Sequence, residues 1–155
     1  MVNTEHVLLV NLGSPKSLKV EDVHTYLKEF LSDDLVIDLP KLVQQAILRC
    51  FILPFRPKKT KEAYELIWSE AGSPLLVNTQ KIADALSEQT GWRVDIAMRY
   101  QEPSLQGAIN RLKQDGVKST TVVPLYPHNA MSTTTTTENA ISKIVQDTYL
   151  SLIHI

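Results

Sequence analysis

Ala97-Met98-Arg99-Tyr100-Gln101-Glu102-Pro103-Ser104 closes an apolar run, Val94 to Met98, and stops where a helical pattern begins. A guanidinium and a phenol therefore stand at the C-terminal tip of an expected buried strand. In open α/β sheets, ligands bind outside such tips. A second stretch, Leu125-Tyr126-Pro127-His128-Asn129-Ala130-Met131-Ser132-Thr133-Thr134, follows the next expected strand in the same way. Two polar, aromatic-bearing tips in one small sheet point to one ligand site.

Outward from these tips the chain alternates strands with helices. Val7-Leu8-Leu9-Val10 is wholly apolar and ends at Asn11-Leu12-Gly13-Ser14-Pro15, the pattern of a strand buried on both faces followed by a turn. Val20, Val23, Leu27, Phe30 and Leu31 fall at helical spacing, which predicts a helix over roughly 20–31. Leu42, Val43, Ala46, Ile47, Cys50 and Phe51 repeat the pattern after Pro40. Pro54 and Pro57 read as breaks. Ala63, Tyr64, Ile67 and Trp68 give a third helix, and Ile82, Ala85 and Leu86 a fourth, closed by Gly91. Strands are expected at about 92–98 and 119–125, with a helix between them opened by Pro103-Ser104 and closed by Gly116. Ala140, Ile141, Ile144 and Val145 mark a last helix. The Thr133–Thr137 run is a weak helix nucleus, because its side chains are β-branched.

This pattern predicts an α/β fold with a parallel sheet wound by crossover helices. Residues 32–76 hold no clear central strand, although Leu35-Val36-Ile37 has the composition of a short one. The block reads as an insertion over the top of the sheet. After about residue 147 the helical pattern is lost, and the apolar close at 148–155 reads as a truncated or foreign tail.

With 155 residues, 43% apolar and 21% charged, the chain is long enough for one real core and too apolar for disorder. A net charge of -1 gives no argument for a nucleic-acid partner. One cysteine, Cys50, leaves no intrachain disulfide and no Cys-rich zinc site. The first residues lack a basic segment followed by an apolar one, and no apolar run approaches a membrane span. A cytoplasmic protein is the expectation.

Other chemistries lack their motifs. Gly13 stands without the further glycines of a dinucleotide fingerprint, and no P-loop lysine follows. Alone it is a turn glycine, or one that lets backbone approach a ligand. There is no Gly-x-Ser-x-Gly elbow, and Cys50 sits in an apolar helix. His128 has no second ligand at metal spacing, and His6, His24 and His154 read as incidental. Residues 47–59 set an apolar cluster beside Arg49, Arg56, Lys58 and Lys59. They are either a buried helix end with a solvated loop, or a hydrophobic lip for a flat apolar ligand or a membrane surface. Arg99 and Tyr100 either cap the sheet or receive a ligand, with a substrate carboxylate as a partner for the guanidinium.

In their order and spacing, several segments resemble the N-terminal half of the ferrochelatases, enzymes that insert ferrous iron into a porphyrin. They are Leu8-Leu9-Val10-Asn11-Leu12-Gly13-Ser14-Pro15, Tyr26-Leu27-Lys28-Glu29-Phe30-Leu31-Ser32-Asp33, Leu53-Pro54-Phe55-Arg56-Pro57-Lys58-Lys59, and Tyr64-Glu65-Leu66-Ile67-Trp68 through Gly72-Ser73-Pro74-Leu75. Met98-Arg99-Tyr100, Leu125-Tyr126-Pro127 and Ser132-Thr133-Thr134 complete the set. The likeness covers roughly residues 6–147.

The resemblance implies one half of a two-lobed, Rossmann-like (chelatase-type) fold with a porphyrin cleft between the lobes. It implies porphyrin-binding roles for Leu12, Ser73, Arg99, Tyr100, Tyr126, Ser132 and Arg56, with the 47–56 segment as the lip of the cleft. The substrates would be ferrous iron and protoporphyrin IX or coproporphyrin III, with no separate cofactor. Peripheral membrane contact would run through residues 47–59. The family's catalytic histidine and partner glutamate belong to its second half, in a motif not found here, so no catalytic or metal-binding residue is expected in this chain. His128-Asn129 replace the Gln-Tyr of many relatives. A cobalt or nickel tetrapyrrole chelatase and a non-enzymatic ligand-binding lobe are the alternatives.

Overall fold

A computed structural model describes residues 6–148 and 152–154. Strands β1 (His6–Asn11), β2 (Arg93–Met98), β3 (Ser119–Pro124) and β4 (Leu152–His154) form one parallel sheet in the order β2-β1-β3-β4. Helices α1 (Val20–Leu31), α2 (Lys41–Ile47), α3 (Arg56–Glu65), α4 (Pro74–Thr90), α5 (Leu105–Gln114) and α6 (Thr136–Thr148) complete the α/β fold.

The apolar run of β1 explains the layering. Its side chains alternate, so Leu8 and Val10 pack with Ala97, Val122, α5 and Ile141 of α6 on one face. Val7 and Leu9 pack with Ala83 of α4, Val94 and Ile96 on the other. β1 is thus buried twice, as a central parallel strand must be.

A third cluster sits above the C-terminal ends of the strands. Val23, Tyr26, Leu27 and Leu31 of α1 meet Leu48, Leu53 and Tyr100, with Leu12 packed alongside. This cap contains the 32–76 block. Leu35-Val36-Ile37 is a turn there and not a strand. The Val36 and Ile37 N–H groups both donate to the Asp33 carbonyl, at 3.1 Å, which curls the segment.

Pro57 opens α3 instead of breaking the chain, since the first turn of a helix needs no N–H there. The threonine run is helical too: a π-helical turn at Met131–Thr135 leads into α6. Its hydroxyls offset the weak propensity, with Thr137 Oγ1 donating to the Thr133 carbonyl at 3.0 Å and Thr133 Oγ1 to that of Ala130 at 3.1 Å. Within the 148–155 tail, residues 152–154 pair with β3. Residues 149–151 and 155 lie outside the described ones.

His6 is not incidental. It is buried, with Nδ1 2.5 Å from Thr120 Oγ1 and Nε2 2.8 Å from Asp95 Oδ2. Arg93 Nε donates to the same Asp95 oxygen at 3.0 Å. Burial raises the Asp95 carboxyl's affinity for its proton; the His6 hydrogen bond and the Arg93 charge outweigh it and hold the carboxyl below the ordinary range. The group ties the N-terminal ends of three strands together.

Residues 47–59 are both of the things the sequence allowed. Leu48 and Leu53 face inward, and Leu53 is only 8% exposed. Phe51 and Phe55 face outward at 71% and 73%. Leu53→Ala should therefore destabilise the chain by about 2–3 kcal/mol, and Phe55→Ser should change stability by no more than about 0.5 kcal/mol. Urea unfolding of the two variants checks this; equal midpoints would contradict the assigned facing.

Candidate functional site

The sheet order reverses between β1 and β3, and in open α/β sheets the C-terminal strand ends at such a switch point are where ligands bind. Leu12 follows β1 and Tyr126 follows β3 at this point. Asn11 fixes the first loop: Nδ2 donates to Thr79 Oγ1 at 3.0 Å, and Oδ1 accepts from the Leu12 N–H at 2.8 Å. Gly13 follows at φ 105°, where a Cβ would lie 1.9 Å from the Tyr100 carbonyl oxygen. The close approach that this glycine permits is to the β2 tip and not to a ligand. That contact extends the β1–β2 pairing past the strands, with Arg99 N–H bonded to the Asn11 carbonyl at 2.8 Å and Tyr100 N–H to that of Leu12 at 2.9 Å.

Arg99 and Tyr100 meet at one carboxylate. Asp33 Oδ2 accepts from Arg99 Nη2 at 2.6 Å, from the Tyr100 hydroxyl at 2.9 Å and from Thr136 Oγ1 at 2.5 Å. Arg99 Nε also reaches Thr136, at 2.9 Å to Oγ1 and 3.2 Å to the carbonyl. The guanidinium carbon lies 4.5 Å from the Tyr100 ring centre. The partner of Arg99 is thus Asp33, in place of the substrate carboxylate considered from sequence. This joint ties the β2 tip to the end of α1, the start of the cap and the start of α6.

Electrostatics follow from the geometry. Burial pushes the Asp33 carboxyl up; the bonds from Thr136, the Leu35 N–H and Tyr100, with the Arg99 charge, prevail and hold it below the ordinary carboxylate range. Burial pushes the Tyr100 and Tyr126 phenols up, so both are neutral donors. Tyr126 OH lies 2.9 Å from Thr137 Oγ1.

An aromatic path leads away from the joint. Phe30 meets Tyr100 edge-on at 5.2 Å and stacks with Tyr26 at 6.0 Å; Tyr26 meets Tyr64, and Tyr64 meets Trp68 at 6.0 Å. Trp68 lines a cavity of about 400 Å³ with Ser14, Ser73, Gly72, Gln101 and Pro103. Ser73 is buried at the start of α4, where its carbonyl accepts from the Val77 N–H at 3.0 Å.

The fold thus brings Leu12, Arg99, Tyr100, Tyr126 and Ser73 to the same end of the sheet. Ser132 is half-buried in the π-helical turn beyond Tyr126. Arg56 stands apart and exposed, at the start of α3 on the lip. His128 and Asn129 are exposed. Among the described residues, no three His, Cys, Asp or Glu side chains converge as metal ligands. Sequence reasoning gave no role to Asp33 and Thr136. The signal was indirect: a guanidinium at a half-buried strand tip calls for an acid, and Asp33 follows directly on α1 at that end.

The profile of the Ferrochelatase family matches residues 4–154. A ferrochelatase of Pseudomonas fluorescens (strain SBW25) is 43% identical over 151 residues, covering 96% of this chain and 44% of the relative. One from Idiomarina loihiensis is 44% identical over 144 residues, 88% of this chain and 39% of the relative. One from Marinomonas sp. (strain MWYL1) is 40% identical over 147 residues, 91% of this chain and 44% of the relative. The chain therefore spans less than half the length of the curated relatives it matches. A family match along nearly the whole described chain agrees with the parallel sheet and its polar strand tips: the chain belongs to the ferrochelatase family.

Proposed function

We propose that this chain supplies one wall of a porphyrin cleft in an enzyme that inserts ferrous iron into protoporphyrin IX or coproporphyrin III, late in haem biosynthesis. Iron and porphyrin are substrates in this reading, and no resident cofactor is assigned. The observation that carries it is the Asp33 joint. It locks Arg99, Tyr100, the cap and α6 into a rigid surface at the end of the sheet where ligands bind.

Rigidity is what the chemistry asks for. Metal insertion needs a macrocycle bent so that pyrrole lone pairs meet the metal. A wall that does not yield can hold that distorted form with binding energy gathered along the apolar edges. Leu12, Ser73, Tyr126 and Ser132 are the proposed contacts on this wall. A base must also accept the two N–H protons. The His–Glu motif that serves this in the family is absent from the sequence, so the base is assigned outside this chain.

The lip is proposed to receive porphyrin and to touch a membrane surface. Val43, Ile47, Phe51 and Phe55 are exposed at four-residue spacing, beside the exposed cations Arg49, Arg56, Lys58 and Lys59. No helix among the described residues is long and apolar enough to cross a membrane. Contact would therefore be peripheral, through apolar side chains and anionic headgroups.

Titrating the purified 155-residue chain into porphyrin and following the Soret band tests the binding. Saturable perturbation is expected, without metalloporphyrin formation above the uncatalysed rate when ferrous iron or zinc is added. Absence of any spectral change would sink the wall assignment, and steady turnover would contradict the placement of the base. Phe51→Ser with Phe55→Ser should weaken porphyrin binding about tenfold, through loss of roughly 1.4 kcal/mol of contact. The thermal midpoint should not move.

A further inference from the structure

The outer edge of β2 is open, and its backbone sense can be read. Arg99 N–H donates towards β1, so the odd-numbered residues of the strand face that neighbour. Val94, Ile96 and Met98 then turn their N–H and C=O groups outward. The outward Met98 N–H is taken by the Pro103 carbonyl at 2.6 Å. Among the described residues, no strand pairs with Val94 and Ile96 on that side.

These two residues floor a groove of about 590 Å³ between α4 and α5, with Leu76 and Val77 on its apolar side. Lys81 of α4 and Arg111 of α5 stand on opposite banks. Neither makes an ion pair among the described residues. Asp95 is the one acid in the lining, and its carboxylate is already held by His6 and Arg93. The groove thus offers two open backbone units and two uncompensated cations over apolar side chains.

We propose that this edge accepts a short, extended, acidic peptide segment of a partner protein as an added strand. Its backbone pairs with Val94 and Ile96, as in other edge-strand recognition. Its side chains alternate between the two faces, so those towards α4 meet Leu76, Val77 and Lys81, and those towards α5 meet Arg111. The Met98–Pro103 bond stops the pairing at Ile96. A second copy of this chain fits less well, because two-fold pairing of β2 with β2 would bring Lys81 and Arg111 of both copies to one seam. The groove adjoins the Ser73 cavity through Ala71, Leu76 and Pro103. It does not depend on the porphyrin reading.

The probe is a fluorescein-labelled Val-Glu-Val-Glu-Glu-Val-amide, which places carboxylates on both faces of an added strand. It is titrated against the 155-residue chain by anisotropy, with amide hydrogen exchange followed by NMR. Expected are saturable binding, slowed exchange at the Val94 and Ile96 amides, and at least tenfold weakening in Lys81→Glu/Arg111→Glu and in the milder Lys81→Gln/Arg111→Gln. The same peptide N-methylated at alternate residues should not bind. Equal binding of the N-methylated peptide would reduce the effect to charge adsorption and overturn the proposal. So would unchanged exchange at Val94 and Ile96 under saturation, or stoichiometric displacement by hexanoate, which marks a small-carboxylate site. Displacement by porphyrin would assign the groove to the tetrapyrrole. A dimer that protects these amides without peptide would assign it to a second copy.

Discussion

Gly13→Ala should unfold this chain or destabilise it by about 4 kcal/mol or more, while Gly72→Ala should cost only about 1–2 kcal/mol. The two glycines share a positive φ, at 105° and 106°. Both substitutions therefore meet similar strain, since L side chains rarely adopt that region. They differ in what the new Cβ meets. At Gly72 nothing lies within 4 Å. At Gly13 the Tyr100 carbonyl oxygen lies 1.9 Å away and its carbon 3.0 Å away, and backbone cannot rotate aside as a side chain can. To relieve the overlap the β1 loop must leave the β2 tip. The Arg99–Asn11 and Tyr100–Leu12 bonds would then go. Urea unfolding and soluble yield of the two variants read the difference directly. Similar losses in both would mean that the loop is not pinned against β2.

How much of this was legible in the sequence depended on whether the signal was local. α1 was visible at Val20, Val23, Leu27 and Leu31, because an amphipathic helix writes its period into neighbouring residues. β1 was visible because a strand buried on both faces must be apolar throughout. Pro57 was misread because proline is neutral evidence until its position in the helix is known. The Thr133–Thr137 run was legible only as a weak helix nucleus, because the local hydroxyl bonds that offset its low propensity are not marked in the sequence.

The site divides in the same way. Arg99 and Tyr100 were legible as strand-tip residues, since topology places the end of a parallel strand. Their partner was not. Asp33 lies 66 residues from Arg99 and 103 from Thr136, and nothing local marks a pairing at that distance. Leu53 and Phe55 also needed the structure: the apolar run Phe51-Ile52-Leu53-Pro54-Phe55 says nothing of which member turns inward.

The Asp33 joint makes the second large prediction. Asp33→Ala should destabilise the chain by about 3–4 kcal/mol, because it leaves the Arg99 guanidinium largely buried without a counter-charge. Lys118→Ala, on an exposed residue away from the strand tips, should do nothing measurable. Arg99→Ala should resemble Asp33→Ala, and the double variant should lose less than the sum of the two, since either change alone strands the other group. The pH dependence fixes the mechanism. The Asp33 carboxyl is held below its ordinary value in the folded state. Its contribution is thus complete above the ordinary carboxylate range and disappears as pH falls through the lowered folded value. Wild type should lose stability between about pH 5 and pH 2 more steeply than Asp33→Asn, by up to about 1.4 kcal/mol per pH unit for one group. Asp95, depressed for its own reasons, contributes the same slope to both proteins and cancels in the comparison. Chemical unfolding at a series of pH values measures it. Parallel curves for wild type and Asp33→Asn would show that the carboxylate is not held by Arg99, Tyr100 and Thr136, and the rigid wall built on that joint would fall with it.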